Sequence, residues 1–179
     1  MDSNGSCLRT RKPVTSESSL RIELISAAVG SAPEAATRGF CKEFARQHDV
    51  TVEFTDQNVP TRLHKDVSLC LFRITQEALH NAVKYSGTKH FAVRVRGTGT
   101  EVQLVVSDAG AGFNVEEAKK NGLGLISMQE RVHLVHGQLH VESQLGAGTK
   151  IVVTVPLVAA VELPPDTDGD QPATVRGVA

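Results

Sequence analysis

The chain has no tryptophan and a single tyrosine in 179 residues, and its aromatic content is only 4%. Stacking platforms for single-stranded nucleic acid are correspondingly scarce. It also lacks a charge surplus: 19 Lys+Arg stand against 20 Asp+Glu, a formal net charge of −1. A generic polyanion binder would carry a basic excess, so no nucleic-acid partner is expected. Cysteine is sparse. Cys7, Cys41 and Cys70 are odd in number, widely spaced and without any C-x-x-C, which suits a reduced cytosolic chain better than a disulfide scaffold or a zinc site. No run approaches the roughly 18 apolar residues that span a bilayer. The longest, Ile151 to Val161, is broken by Thr154 and Pro156. The N-terminal residues carry charge with no apolar h-region behind them. These absences together predict a soluble, cytoplasmic chain with no direct membrane insertion.

What is present is globular. Hydrophobic residues make up 40% and charged residues 22%, and the length suits one domain with tails. Residues 1–19 are Ser/Thr/Arg/Lys-rich without a hydrophobic period and read as a disordered leader. Residues 159–179 are rich in Pro, Asp and Gly and read as a flexible tail. Residues 20–158 form the expected domain.

Within it, Glu34–His48 has helical spacing, with Ala35, Phe40, Phe44 and Ala45 on one face. Val50–Phe54 alternates as a short strand. Asp66 is the expected N-cap of a long helix through Tyr85, stopped by Ser86–Gly87. Phe91–Arg96 and Glu101–Ser107 read as a hairpin turning at Gly97–Gly99. A helix from Leu125 to His136 ends at Gly137, and strands Gln138–Ser143 and Thr149–Val155 follow. This order predicts an α/β two-layer sandwich: a mixed, largely antiparallel sheet covered by helices on one face.

Four constellations could carry chemistry. On the long helix, Glu77, Asn81 and Lys84 fall within an arc of roughly 60°, while Leu71, Ile74, Ala78 and Ala82 suit a core. Such a stripe reads either as a solvated polar face or as a site. Asn81 could offer an amide oxygen to a hard cation such as Mg²⁺, Lys84 could neutralise phosphate, and Glu77 could orient or deprotonate a nucleophile. Next, Asp108-Ala109-Gly110-Ala111-Gly112 follows a strand directly. Its carboxylate could accept from an exocyclic amine such as adenine's, or the segment is a plain Gly-rich turn. A dinucleotide-binding fingerprint would need glycine where Val115 stands. Third, Gly122-Leu123-Gly124-Leu125 precedes a helix, where free N–H groups can meet phosphate oxygens. Fourth, Gly146-Ala147-Gly148-Thr149 turns into the last strand.

In this order the four resemble the ATP-binding domain of bacterial sensor histidine kinases. Phe72 to Tyr85 looks like the N box, Asp108-x-Gly110-x-Gly112-Phe113 like the first glycine box, Gly122 to Val132 like the second, and Gly148-Thr149 like the closing Gly-Thr element. Gln76-Glu77-Ala78-Leu79-x-Asn81-Ala82-x-Lys84, with Gly122-Leu123-Gly124-Leu125-x-x-Met128-x-Glu130-Arg131, is similar to the nitrate-sensor and DesK-like branch. The resemblance covers about residues 34–157 and implies the Bergerat fold shared with gyrase, Hsp90 and MutL ATPases. By it, Asn81 holds Mg²⁺ and Glu77 is the catalytic or metal-shell carboxylate. Lys84 reaches the phosphates of ATP, and Tyr85 lies near the nucleotide. Asp108 accepts the adenine amine, directly and through a water shared with Thr149. Gly110 and Gly112 permit a close turn, Val115–Asn121 is a short lid, and Gly122, Leu123, Gly124 and Leu125 line the phosphate end.

The resemblance further implies a His-bearing dimerisation domain or kinase partner, and a response regulator. No histidine precedes Glu34, and His48-Asp49 stands where a strand is about to begin, so neither supplies a phosphoacceptor helix. Two other readings stay open: a stand-alone serine kinase like the anti-sigma factors of the same superfamily, and a degenerate nucleotide-binding module. His133, His136 and His140 lack the Cys or carboxylate company of a metal site. Lys89, Arg94 and Arg96 read as a solvated sheet face or a partner surface.

Overall fold

A computed structural model describes residues 33–121 and 123–157. The expected leader 1–19 and tail 159–179 lie outside the described residues, as do Gly122 and the first residues of the expected domain. Helix α1 (Pro33–His48) is followed by strand β1 (Thr51–Gln57) and helix α2 (Lys65–Tyr85). Strands β2 (His90–Gly97) and β3 (Glu101–Asp108) come next, then helices α3 (Val115–Asn121) and α4 (Leu123–Leu134). Strands β4 (Gln138–Ser143) and β5 (Thr149–Pro156) complete the order.

The five strands form one sheet in the order β1-β2-β3-β5-β4. β1 pairs parallel with β2 and every other pairing is antiparallel, the mixed, largely antiparallel sheet that the element order implied. Side chains of a strand alternate between faces, and here one face is apolar: Phe91, Val93 and Val95 on β2, Val102, Leu104 and Val106 on β3, Ile151, Val153 and Val155 on β5, all buried. The apolar stripe of α2 closes on it, with Phe72, Ile74 and Leu79 fully excluded from water. α1 packs beside α2 through Phe40, whose ring lies 5.5 Å from those of both Phe44 and Phe72.

Several boundaries differ from the sequence expectation for local reasons. β1 runs on to Gln57 because seven residues pair in register with His90–Arg96. The N-cap of α2 is His64, not Asp66: His64 has the extended backbone a cap needs (φ −56°, ψ 140°), and its Nδ1 accepts from the Asp66 N–H at 3.4 Å. Asp66 instead sits in the first turn, where a carboxylate complements the helix dipole. Ala36 rather than Ala35 is buried on α1. The segment 115–121 is helical because the Asn114 carboxamide oxygen caps it, accepting from the N–H groups of Glu116 (3.0 Å) and Glu117 (3.4 Å). α4 stops at Leu134, short of His136, because His136 turns left-handed (φ 53°) and the Gly137 N–H closes back on the Val132 carbonyl at 2.9 Å.

Core and surface leucines or aromatics should separate cleanly in stability. Phe72→Ala deletes a fully buried ring and should cost about 3–5 kcal/mol. Leu134→Ala removes a side chain that is 79% exposed and should stay within about 0.5 kcal/mol. Urea midpoints of the two variants against the parent check both.

Candidate functional site

The C-terminal half of α2 lies beside the ends of β3 and β5, and between them opens a cavity of about 710 Å³. Glu77, Asn81, Lys84, Tyr85, Asp108, Gly112, Gly124, Leu125 and Thr149 all line it. Residues predicted from four separate stretches of chain thus share one space. Gly110 does not line it; a Cβ there would strike Ser86, which does. Gly122 lies outside the described residues, and of Leu123 only the backbone is described, as the first residue of α4.

At one end, Glu77 and Asn81 are half-buried and one helical turn apart, and the Asn81 Nδ2 donates to Glu77 Oε1 at 3.2 Å. The Asn81 Oδ1 keeps its acceptor capacity. Gly124 comes against this pair from α4: a Cβ there would stand 2.8 Å from Glu77 Oε1 and 3.2 Å from Asn81 Nδ2. Any larger residue would push against the carboxylate and amide, so glycine keeps that end of the cavity open. Lys84 and Tyr85 are exposed at the rim, the ammonium 4.8 Å from the ring centroid. Tyr85 beside it holds the Lys84 pKa above the ordinary lysine value, so the group is a cation throughout the neutral range.

At the other end, Asp108 and Thr149 face one another as register partners of β3 and β5. Burial raises the Asp108 pKa, while the N–H groups of Gly110 and Thr149 pull it back. The Gly110 bond to Asp108 Oδ1 is 2.8 Å. The turn that follows doubles back under Ser86, where the Ala111 N–H donates to the Ser86 carbonyl at 2.7 Å. Gly112 has φ +60°, and a Cβ on it would strike the Gln144 carbonyl. Only glycine meets both conditions.

Sequence reasoning left part of the lining unread. Ala78 and Ala82, assigned to a core on the opposite side of the helix, also line the cavity. They sit roughly a quarter turn from Glu77 and Asn81 at 3.6 residues per turn, so core and polar stripes meet at its floor. Val106 and Ile151 supply the sheet side of that floor, and Phe113 a wall. Strand alternation could have found Val106, two residues before Asp108. Ser143 had no such signal. Its Oγ accepts from the Phe113 N–H (2.9 Å), donates to the Gly148 carbonyl (2.8 Å) and lies 3.1 Å from Thr149 Oγ1. One hydroxyl therefore ties the glycine turn after β3 to the start of β5.

The residues fit a nucleotide with a divalent cation. The donor set is one amide oxygen and one carboxylate, open to the cavity, and suits Mg²⁺, which keeps waters and takes few protein ligands beside phosphate. The described residues contain no group of three or more His, Cys, Asp or Glu placed to hold a metal alone, so waters or phosphate oxygens would have to complete the sphere. Neither buried thiol competes as a nucleophile: burial pushes Cys41 up to about 12 and Cys70 up to about 11. Among the described residues no helix is long and apolar enough to cross a membrane.

Comparison with known proteins agrees with the geometry. The chain is 32% identical over 118 residues to the signal transduction histidine-protein kinase/phosphatase DegS of Brevibacillus brevis, covering 66% of this chain and 31% of that protein. It is 32% identical over 125 residues to the oxygen sensor histidine kinase NreB of Staphylococcus carnosus, covering 69% and 36%. With DegS of Bacillus subtilis the identity is 40% over 99 residues, covering 54% and 26%. The chain thus spans about a third of the length of these curated relatives. The fold is similar to the histidine kinase domain of the blue-light activated kinase of Erythrobacter litoralis, with a TM-score of 0.62 at 18% identity, over 78% of this chain and 79% of that one. It is also similar to the Acinetobacter baumannii histidine kinase AdeS, with a TM-score of 0.53 at 14% identity, over 78% and 64%. The family model for histidine kinase-, DNA gyrase B-, and HSP90-like ATPases matches residues 66–159, from α2 to just past β5, and the chain belongs to that family.

Proposed function

We propose that this chain is the Mg·ATP-binding catalytic domain of a two-component sensor kinase, passing the γ-phosphoryl group to a histidine outside this chain and thence to a response regulator. The observation that carries the reading is the polarity of the cavity. It has an amine-accepting carboxylate at one end and an amide–carboxylate pair at the other, with an apolar floor of Ala78, Ala82, Val106 and Ile151 between. A purine needs the first and the floor; a metal-bound polyphosphate needs the second. The relatives named above, all described as histidine kinases, favour this over a serine kinase.

In this reading each residue has a limited task. Asp108 accepts from the adenine amine, with Thr149 beside it to share a bridging water. Asn81 offers its Oδ1 to the cation, and Glu77, hydrogen-bonded to the Asn81 amide, fixes that orientation and faces the phosphate end. The bound cation supplies charge neutralisation at the β- and γ-phosphates. Lys84 adds a positive charge at the rim. The backbone N–H groups of Leu123, Gly124 and Leu125, in the first turn of α4, meet phosphate oxygens in this reading, and α3 serves as the short lid. Phosphoryl transfer asks the protein mainly for positioning and charge, and this arrangement provides both. His48 does not stand within a phosphoacceptor helix: α1 ends there, and Asp49 turns left-handed behind it (φ 52°). We assign the chain to the cytoplasm on the same reading, because its nucleotide and partners are there.

Four outcomes test this reading. Incubation with γ-labelled ATP should leave this chain free of acid-labile, alkali-stable label; such label on it would contradict an acceptor elsewhere. Asp108→Ala should weaken ATP binding about 10- to 100-fold by calorimetry, the range of one charge-assisted hydrogen bond. In the parent, ATP affinity should begin to fall at a pH above the ordinary aspartate value of 3.8, because burial favours the neutral carboxyl, and Asp108→Asn should lose that inflection. Asn81→Ala should abolish most of the Mg²⁺ dependence of ATP binding; affinity that still rises normally with Mg²⁺ would remove the metal role from Asn81.

A further inference from the structure

The face of the sheet turned away from the helices carries a second depression, about 500 Å³, lined by Thr55, Gln57, Arg94, Arg96, Gln103 and Val105 among others; its one carboxylate, Asp56, is paired with Arg38. The register builds it in rows across the strands. Gln57, Arg96, Gln103 and Thr154 stand side by side, and Thr55, Arg94, Val105 and Val152 form the next row. Arg94 and Arg96 are both exposed. Among the described residues, neither has a carboxylate within ion-pair distance, whereas Lys89, Arg38, Arg46 and Lys150 each do. Two arginines thus project from one strand at i and i+2, their Cα atoms roughly 6.6 Å apart, over a strip where Val105 and Val152 are only partly covered.

The chain supplies a matching charge pattern immediately after the sheet. Residues 162–170 read Glu-Leu-Pro-Pro-Asp-Thr-Asp-Gly-Asp and contain four carboxylates and no Lys or Arg. Asp166, Asp168 and Asp170 alternate at i, i+2 and i+4, the same period as the two arginines. The point of departure is favourable. β5 ends at Pro156, two residues beyond Thr154, which stands in the row of Arg96. Two interstrand spacings, about 10 Å, separate Thr154 from Arg96. The nine residue steps from Leu157 to Asp166 can span up to roughly 30 Å, so the acidic segment reaches both arginines with chain to spare.

We propose that the acidic segment 162–170 docks on the open face of the sheet, its aspartates against Arg94 and Arg96, on the side opposite the nucleotide cavity. The contact is intramolecular and electrostatic, worth little per pair at the surface and weakened by salt; tethering supplies the effective concentration that makes it form. It covers the Val105–Val152 strip and occupies the one exposed pair of cations on β2. The inference is independent of nucleotide binding.

The test is backbone relaxation by NMR on the full chain without nucleotide, at about 50 mM salt. Heteronuclear NOE values of residues 166–170 should exceed those of residues 173–179, and the difference should vanish in Arg94→Glu/Arg96→Glu. It should return when Asp166→Lys, Asp168→Lys and Asp170→Lys are added to that variant, and it should disappear in the parent at 0.5 M salt. Unchanged amide dispersion for β2, β3 and β5 shows that each variant is folded. Equal NOE values for 166–170 in the parent and the double variant would overturn the proposal. So would a difference that fades on dilution, which would assign the acidic segment to a second copy.

Discussion

The packing of α2 onto the apolar face of the sheet is the contact on which the rest of the molecule depends. Phe72, Ile74, Ala78 and Leu79 seat the helix against Val93, Leu104, Val106 and Val153. That contact fixes the helix's rotation. Once Ala78 faces the sheet, Glu77 and Asn81 can only lie at the helix's margin, where α4 brings Gly124 to meet them. The site is therefore a by-product of core packing: a helix turned by half its stripe would bury the carboxylate or leave the cavity without it.

Strand pairing performs the same service at the far end. Asp108 is the last residue of β3 and Thr149 the first of β5, and the antiparallel register sets them opposite one another. The glycine turn after β3 has no regular secondary structure to hold it. Three bonds do so instead: Ala111 to Ser86, Gly146 to Ala111, and Phe113 to Ser143. Each joins the turn to a different part of the chain, so the Asp108 end of the cavity is braced by both the C-terminus of α2 and the β4–β5 connection.

The two faces of the sheet divide the work. The inner face is apolar and covered, and its edge holds the cavity. The outer face is polar with an apolar strip, and bears charges that β1 and β2 leave without carboxylate partners among the described residues. Lys89 looked from its spacing like a member of that basic stripe, but it precedes β2 and pairs with Asp49 at 2.6 Å. The stripe is therefore two arginines, not three cations.

The amino-acid sequence by itself determined the order of every element but α3, the family and most of the residues at the cavity, because those depend on short-range quantities. Hydrophobic period marks helices and strands, and the spacing of Glu77, Asn81 and Lys84 places them on one stripe whatever the helix packs against. Glycine at 112 and 124 was legible as a box, but its reason was not. Gln144 and Glu77, the neighbours a Cβ would strike, come from distant parts of the chain. Only the tertiary structure decided that His64 caps α2, that Ala78 and Ala82 are both core and cavity floor, and that Ser143 ties two loops together. Each is a contact between residues whose separation along the chain, or whose backbone angles, no local pattern records. The balanced charge is a property of the whole chain; it took the sheet register to show where the charge is uneven.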